Sequence, residues 1–394
     1  MIRWGNIYFV LVLMLLVCIG MTAQREVGSL DLHHRAIVCD LHCDTVMRLL
    51  QGVPLGMRGH SGHIDIPRLK EGGVDLQVFA CWVDPVDVLP EHYIYSTKQL
   101  IGKLLCELQA NQSAIALATT GSQAENIIAQ DKIAAVLAIE GGHSIQNSID
   151  TLKAFHQQGV RCLTLTWNNS LDWADAAADT LPQHDGLTNF GREIVVAMNT
   201  IGMMIDVSHA SESTFWDVIE TTSDPIIASH SCAHALCPHY RNLKDDQIRA
   251  IARNGGMIGI HFYSGFLDST FEREYTILKS KYRAHIDSLW EAYKENIDRY
   301  HQERNALLGD ELRTIQLSVE RVIDHIDYIV KLVGPEYVGL GSDFDGTSQV
   351  PRELADCSRM PFITTKLIER GYSERNIQKI LGGNFMRIFK EVCG

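Results

Sequence analysis

A histidine and an aspartate separated by one residue follow a short apolar run near residue 40. The stretch reads AIVCDLHCDT over 36–45, so His42 and Asp44 come directly after the apolar residues. In an extended strand, residues i and i+2 lie on one face, so the imidazole and the carboxylate project together while Cys43 points elsewhere. Such a pair suits a metal ion, but a polar loop after a strand contains the same residue types. The rest of the chain has to decide between the two interpretations.

Four other apolar runs end in groups that bind metals or move protons. Glu140 ends IAAVLAIE, His209 ends GMMIDVSH, His230 ends PIIASH and Asp343 ends YVGLGSD. A single histidine in such a place is more often structural, and a single acidic residue often caps the next helix. The coincidence of five such ends favours a metal site, and imidazoles with carboxylates but no thiolate suit Zn²⁺ or a related divalent ion in an open, catalytic site.

The elements that carry these groups alternate between strand and helix. Apolar, β-branched runs predict eight strands, which are 36–41, 75–81, 133–139, 160–166, 202–208, 225–229, 256–262 and 336–341. Helical spacing of apolar residues lies between them, for example over 97–111, 145–158, 189–200, 211–221 and 243–254. Eightfold alternation predicts an α/β fold, a (β/α)₈ TIM-type barrel of parallel strands, with the chemistry at the carboxyl ends of the strands. An open doubly wound sheet is the main competitor.

A long helical insertion, 271–333, separates predicted strands seven and eight. Apolar residues recur every three or four positions from Leu278 to Tyr300, which predicts one long charged amphipathic helix. Gly309 is expected to break it, and a second helix is expected to stop at Gly334-Pro335. The insertion could cover the site, contact a second subunit, or pack on the side of the barrel.

The amino-terminal residues predict export. An arginine precedes an apolar stretch over 7–21 and small residues near Ala23, which is typical of a secretory signal peptide over 1–23 and is short for a membrane span. The expected mature chain, 24–394, is then a single catalytic domain, periplasmic or secreted, with no integral membrane span. Cys18 could carry lipid, but Val17 before it fits that processing poorly, so export is favoured over tethering.

The net charge of the chain limits the kinds of molecule that it is expected to bind. The chain of 394 residues has a formal net charge of -13, so a broad basic surface for nucleic acid is not expected. A small-molecule substrate is the more consistent partner.

The chain resembles the membrane dipeptidase (renal dipeptidase) family of zinc peptidases, which have an amidohydrolase-like barrel. The stretches that carry the resemblance occur in family order over 36–346, with GGNFMRIF near the end. They are CDLHCDT, IPRLKEGGVDLQVFACW, AIEGGHSI, GVRCLTLTWNNSLDWAD, GMMIDVSHAS, PIIASHS, RNLKDD and YVGLGSDFDG.

The resemblance implies a centre with two Zn²⁺ ions per chain. His42 and Asp44 would bind one ion, His209 and His230 the other, and Glu140 would bridge them. Paired ions roughly 3.5 to 4 Å apart lower the pKa of a bound water toward 7 and polarise the carbonyl that it attacks. A homodimer is also a family-based expectation.

The resemblance assigns three further roles. Asp343 would be the acid/base that takes the water proton and passes it to the leaving amine. Arg241 would hold the terminal carboxylate of the substrate, which favours dipeptides over longer chains, possible C-terminal D-residues included. Trp167 departs from the family, since mammalian-type members carry a histidine there that contacts the scissile carbonyl. An indole N–H donates one hydrogen bond but cannot become positively charged.

Three functions are therefore carried forward. The first is an exported binuclear zinc dipeptidase, a metallopeptidase acting on small peptides. The second, suggested by Trp167, is a related metal-dependent amidohydrolase acting on another amide or a lactam. The third is a catalytically inactive metal-binding protein, against which the presence of all five expected ligands and Asp343 argues.

Overall fold

The computed structural model describes residues 28–294, 296–347 and 349–394. The predicted signal peptide, 1–23, lies outside these residues. Within the described ranges, no helix combines the length and the apolar composition needed to cross a bilayer.

The described residues contain nine parallel strands, eight of which close into a barrel. The strands are β1 (Cys39–Asp40), β2 (Leu76–Trp82), β3 (Ile115–Leu117), β4 (Ile133–Glu140), β5 (Val160–Thr164), β6 (Met204–Asp206), β7 (Ile227–Ser231), β8 (Met257–Ile260) and β9 (Val338–Leu340). Their order is β2-β1-β9-β8-β7-β6-β5-β4, and pairing of β2 with β4 closes the ring. The predicted (β/α)₈ barrel is confirmed and the open sheet is excluded.

The ninth strand, β3, is an addition that the apolar pattern did not predict. It pairs with the beginning of β4, at Ile133 to Ala135, whereas β5 pairs with β4 from Leu137 onward. The longest barrel strand, β4, therefore pairs with both β3 and β5 along the same edge. The sequence of β3, IAL, is too short to be recognised as a strand from its apolar residues.

Helices surround the barrel and follow most of its strands. They are α1 (28–35 of the described chain), α2 (Thr45–Leu50), α3 (Ile66–Glu71), α4 (Tyr93–Ala110), α5 (Gly121–Ile128), α6 (Ile149–Gln157), α7 (Asn189–Ile201), α8 (Glu212–Thr221), α9 (Asp245–Arg253), α10 (Ser264–Leu267), α11 (Ser269–Lys281), α12 (Arg283–Tyr293), α13 (Ile297–Ile315), α14 (Glu320–Val333), α15 (Pro361–Glu369), α16 (Glu374–Gln378) and α17 (Asn384–Cys393). Side-chain caps set several of their starts: Ser148, Thr188 and Ser211 each accept a hydrogen bond from a backbone N–H of the first turn.

The alternation of residues in β4 shows how the strands aim their last side chains. Every residue of β4 is buried. Ala134, Val136 and Ala138 belong to the cluster that fills the barrel with α17, whereas the residues between them pack under the surrounding helices. Glu140 continues the inward series, so its carboxylate faces the mouth of the barrel.

The part of the insertion before Gly309 differs from the single long helix that its periodicity predicts, whereas the predicted second helix is present as α14 and ends at Gly334. The helical run is broken at Tyr282 and again near Asn296, whose side chain caps α13 by accepting a hydrogen bond from the Arg299 N–H. Gly309 has φ 39° and kinks α13, as predicted. Three shorter helices, α11 to α13, result, and α11 and α13 share a small core around Phe271. Leu278 belongs to that core and Tyr282 and Ile286 pack against it, so the apolar spacing continues across the first break, whereas no residue of α12 is fully buried.

Candidate metal centre

The five predicted ligands meet at the carboxyl-terminal mouth of the barrel. His42 and Asp44 follow β1, Glu140 ends β4, His209 lies three residues after β6, and His230 lies in β7. All five side chains are buried. Asp343, three residues after β9, joins them at a partly exposed position. The structure therefore brings together residues that are up to 301 positions apart in the chain.

Glu140 lies between two groups of imidazole nitrogens. Its Oε2 is 3.7 Å from Nε2 of His42, and its Oε1 is 3.0 Å from Nε2 of His209 and 3.5 Å from Nε2 of His230. The two carboxylate oxygens thus face different histidines, an arrangement in which one carboxylate can contact two cations.

His42 lies close to two further carboxylates of the cluster. Its Nε2 lies 3.8 Å from Oδ2 of Asp44 and 3.8 Å from Oδ1 of Asp343. These spacings are too long for hydrogen bonds and leave room for an ion between the groups. One potential ligand atom from each of His42, Asp44 and Asp343 lies within 4.8 Å of the others, and the same holds for His42, Glu140 and His230.

Hydrogen bonds behind His230 fix which of its nitrogens faces the centre. The Ser229 hydroxyl donates to Oδ2 of Asp206 at 2.6 Å, and the same hydroxyl oxygen is 2.7 Å from Nδ1 of His230. A hydroxyl has one proton, so Nδ1–H of His230 must donate to Ser229. Its Nε2 then presents a lone pair to the centre, as a metal ligand requires.

His209 is held in the same tautomer by a different partner. Its Nδ1 lies 3.0 Å from Oδ1 of Asn168, an oxygen that can only accept. Nε2 of His209 therefore also carries a lone pair, and it is 3.1 Å from Nε2 of His230. Two lone pairs at that distance repel unless a cation or a proton lies between them, so the pair fits a metal ion well.

The pKa shifts of the clustered side chains also favour a metal site. Burial raises the pKa of Asp44 well above its usual value, and the nearby Glu140 carboxylate adds to the rise. Burial lowers the pKa of His230 well below its usual value, and it lowers the pKa of His209 to about 4. Among the described residues, Nε2 of His42 and Oδ1 of Asp44 are buried without a hydrogen-bond partner. Burial alone would lower the pKa of His42, but the Glu140 and Asp44 carboxylates raise it well above the usual value. The clustered carboxylates and the neutral imidazoles of His209 and His230 therefore favour a cation at the centre, which a divalent metal ion supplies.

His261 is a site residue that the sequence reasoning missed. It follows β8, and its Nε2 lies 3.0 Å from Oδ2 of Asp343. Its Nδ1 accepts a hydrogen bond from the Tyr263 N–H, so Nε2–H must donate to Asp343. Burial alone would raise the pKa of Asp343, but His261 holds it below the usual value. The signal was available, because His261 stands at a strand end, like the residues at the five strand ends that were recognised.

The backbone is strained at two of the strand ends. His209 has φ 69° and Asp343 has φ 58°, both in the left-handed region that residues other than glycine rarely adopt. Each such residue costs about 1–3 kcal/mol. The barrel holds these side chains in place against a local cost, which is common where side chains must be aimed at a site.

Arg241 and Trp167 line the cavity above the cluster, which has a volume of about 420 Å³. Arg241 is buried, its Nη2 donates to the His230 carbonyl at 3.3 Å, and its Nε has no hydrogen-bond partner in the described part of the chain. The Trp167 ring packs 4.9 Å from the ring of Trp82 and 6.5 Å from that of His209, measured between centroids. Both predicted substrate contacts therefore face the centre.

The insertion forms part of the wall of the site. Tyr275, Lys279 and Arg304 line the cavity that contains Arg241, and residues of α13, among them His301, line an adjoining cavity of about 640 Å³ that also contains Asp44 and Glu140. Of the three places considered for the insertion, a position over the site is the one observed.

Comparison with known proteins agrees with this geometry. Residues 28–393 match the family model of membrane dipeptidase, peptidase family M19. Dipeptidase 3 of Homo sapiens is 30% identical over 350 residues, which are 87% of this chain and 61% of that protein. The chain thus spans about three fifths of the length of that curated relative.

Solved structures share the fold over nearly their whole length. The dipeptidase AC, a metallo peptidase of family M19, has 26% identity and a TM-score of 0.74, with 91% of this chain and 99% of that chain covered. A metallo peptidase from Rhodobacter sphaeroides, liganded with a phosphinate mimic of the dipeptide L-Ala-D-Ala, has 26% identity and a TM-score of 0.73 over 91% and 99% of the two chains. The chain therefore belongs to the membrane dipeptidase family of metallopeptidases, family M19.

Proposed function

We propose that the chain is a binuclear zinc dipeptidase that hydrolyses the peptide bond of dipeptides, including those with a C-terminal D-residue. The observation that carries the proposal is Glu140, whose two oxygens face His42 on one side and His209 with His230 on the other. In this proposal His42 and Asp44 would hold one Zn²⁺, His209 and His230 would hold the other, and Glu140 would be a ligand shared by the two.

Asp343 is the proposed acid/base. The zinc pair, when bound, supplies an acidified water and polarises the scissile carbonyl. Asp343 takes the proton of the attacking water and passes it to the leaving amine, which departs poorly without it. His261 donates a hydrogen bond to Oδ2 of Asp343, whereas Oδ1 of Asp343 lies 3.8 Å from Nε2 of His42. One carboxylate oxygen is therefore held in place and the other faces the centre.

Arg241 is the proposed anchor for the substrate. Its guanidinium is fixed by the His230 carbonyl and lies 5.6 Å from the Phe266 ring, which leaves it rigid beside the centre. A carboxylate bound there would place the scissile bond about one residue away, which favours dipeptides. The Rhodobacter relative, which was solved with a mimic of L-Ala-D-Ala, supports testing substrates with a C-terminal D-residue.

Trp167 favours a second candidate function. The indole replaces a residue that could carry a proton and packs against Trp82, which makes this wall of the site broad and aromatic. An amidohydrolase acting on another amide or a lactam would keep the same metal ligands and Asp343. Dipeptides and lactams assayed side by side separate the two candidates.

The remaining expectations extend the proposal to the whole chain. Residues 24–394 would form one catalytic domain that is exported to the periplasm or secreted after removal of residues 1–23, and two copies would form a homodimer. Support for export comes from the amino-terminal residue pattern.

Metal content and dipeptide hydrolysis, measured in wild type and in Asp343→Asn, test the proposed function. We expect near two zinc per chain in both proteins, because Asp343 is not a proposed ligand. Cleavage of L,L and L,D dipeptides is expected to fall by at least about a hundredfold in Asp343→Asn, since general acid–base catalysis contributes about 10²–10⁴-fold.

The exposed Asp310→Asn variant is the matched control, because Asp310 lines neither cavity of the site, and it should behave as wild type. Two zinc without dipeptide cleavage would favour the amide or lactam alternative. A protein that binds no metal after zinc supplementation would contradict the proposal.

A further inference from the structure

The wall of the active-site cavity that the insertion supplies is positively charged. Lys279 on α11 and Arg304 on α13 line the same cavity as Arg241. The carboxylates that line this cavity are Asp44, Glu140 and Asp343, and all of them belong to the proposed metal and acid/base centre. The charges around the cavity are therefore segregated, with anions at the centre and cations on the wall.

Aromatic contacts keep the wall in place. Nζ of Lys279 lies 4.6 Å from the centre of the Tyr275 ring, and the guanidinium of Arg304 lies 5.6 Å from the centre of the Tyr300 ring. Tyr275 itself is buried in the small core of the insertion. The guanidinium of Arg304 also donates a hydrogen bond to Oδ1 of Asn305, a neutral amide. An aromatic ring has no net charge, so a cation above it keeps its own charge and can attract an anion.

Under the proposed function, Arg241 already accounts for one carboxylate, the substrate's terminal one. Because Lys279 and Arg304 line the same cavity as Arg241, we place the C-terminal residue of a bound dipeptide in this cavity. The adjoining cavity, with Trp82, Met47 and Trp167 among its lining residues, is more apolar and would receive the N-terminal residue. Two further cations beside the C-terminal residue suit a second carboxylate.

We propose that Lys279 and Arg304 make the enzyme selective for dipeptides with an acidic C-terminal residue, glutamate or aspartate. This inference rests on the proposed dipeptidase function. It assigns the insertion a role in choosing the substrate, by attraction between its cations and the side-chain carboxylate.

The test compares acidic substrates with their neutral isosteres on the zinc-loaded enzyme. The ratio of kcat/KM for Ala-Glu over Ala-Gln, with L- and with D-residues at the C-terminal position, reports the effect of the charge alone. We expect a ratio of about five or more in wild type, because each partly exposed ion pair contributes up to about 1 kcal/mol. The ratio should fall as ionic strength rises.

The double variant Lys279→Gln, Arg304→Gln should bring this ratio close to one and leave kcat/KM for Ala-Ala within about twofold. Arg273→Gln is the matched control, because Arg273 is an exposed cation of α11 that does not line the cavity. It should keep the wild-type ratio. Loss of selectivity in this control as well would contradict a local role for the wall.

Charge reversal gives a gain that misfolding cannot produce. Lys279→Glu should lower the rate on Ala-Glu and raise the rate on Ala-Lys relative to wild type. A wild-type ratio near one, with Ala-Ala cleaved normally, would overturn the inference and leave the proposed function standing. If no dipeptide is cleaved by the zinc-loaded enzyme, the proposed function fails and the inference fails with it.

Discussion

At the scale of single residues, the proposed metal centre depends both on its ligands and on the residues that form hydrogen bonds with those ligands. Ser229 donates to Asp206 and accepts from His230, which leaves the Nε2 lone pair of His230 facing inward. The two hydrogen bonds select a tautomer and orient a ring, which are the usual tasks of such partners in metal sites.

Ser229→Ala is therefore expected to weaken zinc binding without removing a ligand. Loss of the hydroxyl frees His230 to rotate and to change tautomer, and comparable partners elsewhere are worth about 10–100-fold in metal affinity. Competition with a chromogenic chelator measures the effect. Ser144→Ala is the control, because Ser144 is equally buried and its hydroxyl has no hydrogen-bond partner within the described ranges. Equal affinities in the two variants would show that the hydrogen-bonded chain does not matter.

Sequence reasoning recognised the side chains at strand ends but not the partners that orient them. In the sequence, Asn168 and Ser229 cannot be told apart from other polar residues. Their contacts with the ligands depend on how neighbouring strands align, and the sequence alone does not reveal that alignment. His261 follows the same rule but was overlooked, because the predicted strand 256–262 extended past it, whereas β8 ends at Ile260.

At the scale of elements, a buried histidine joins the first described helix to two others, α3 and α15. Nε2–H of His33 donates to the Gly72 carbonyl at 2.8 Å, and Nδ1 lies 2.6 Å from the Thr364 hydroxyl. Both contacts suit the neutral ring. Burial lowers the pKa of His33 to about 4, against an ordinary value of 6.5.

This contact is expected to make stability depend on pH. Between pH 6.5 and about 4 the unfolded chain binds a proton at His33 and the folded chain does not, so the free energy of unfolding decreases as the pH falls through that window. The full loss is about 3 kcal/mol, from about 1.4 kcal/mol per pKa unit.

Urea unfolding of the chelator-treated protein at pH 4.5 and at pH 7 measures the loss. In His33→Gln the difference between the two pH values should shrink by up to about 3 kcal/mol. The exposed neighbour His34 is replaced in the control, His34→Gln, where the wild-type difference should persist. A difference unchanged in His33→Gln would rule out this source of the pH dependence.

Elements also differ in how well the sequence predicts them. Barrel strands such as β4 were placed within a residue or two, because burial on both faces produces an uninterrupted apolar run. The part of the insertion before Gly309 was predicted as one helix and contains α11, α12 and the start of α13, because α11 ends at Lys281 and α12 ends at Tyr293 without disturbing the apolar spacing. Its position over the site depends on packing between elements, which periodicity does not report.

At the scale of the whole molecule, the centre joins strands from opposite sides of the ring. His42 follows β1, Glu140 ends β4 and His230 lies in β7, so the ligand set exists only when the barrel has closed. Ions bound there would act as cross-links between distant parts of one sheet, and their binding energy would appear as stability of the entire barrel.

Zinc is accordingly expected to raise the melting temperature of the whole domain in one cooperative step. At a free concentration a thousandfold above Kd, each ion adds about 4 kcal/mol to the free energy of unfolding. Glu140→Gln should lose most of this gain because Glu140 faces both groups of histidines, whereas Asp343→Asn should keep it. Calorimetry with zinc and with chelator measures the difference. An equal zinc-dependent rise in wild type and Glu140→Gln would contradict a shared carboxylate and place the ions on separate ligand sets.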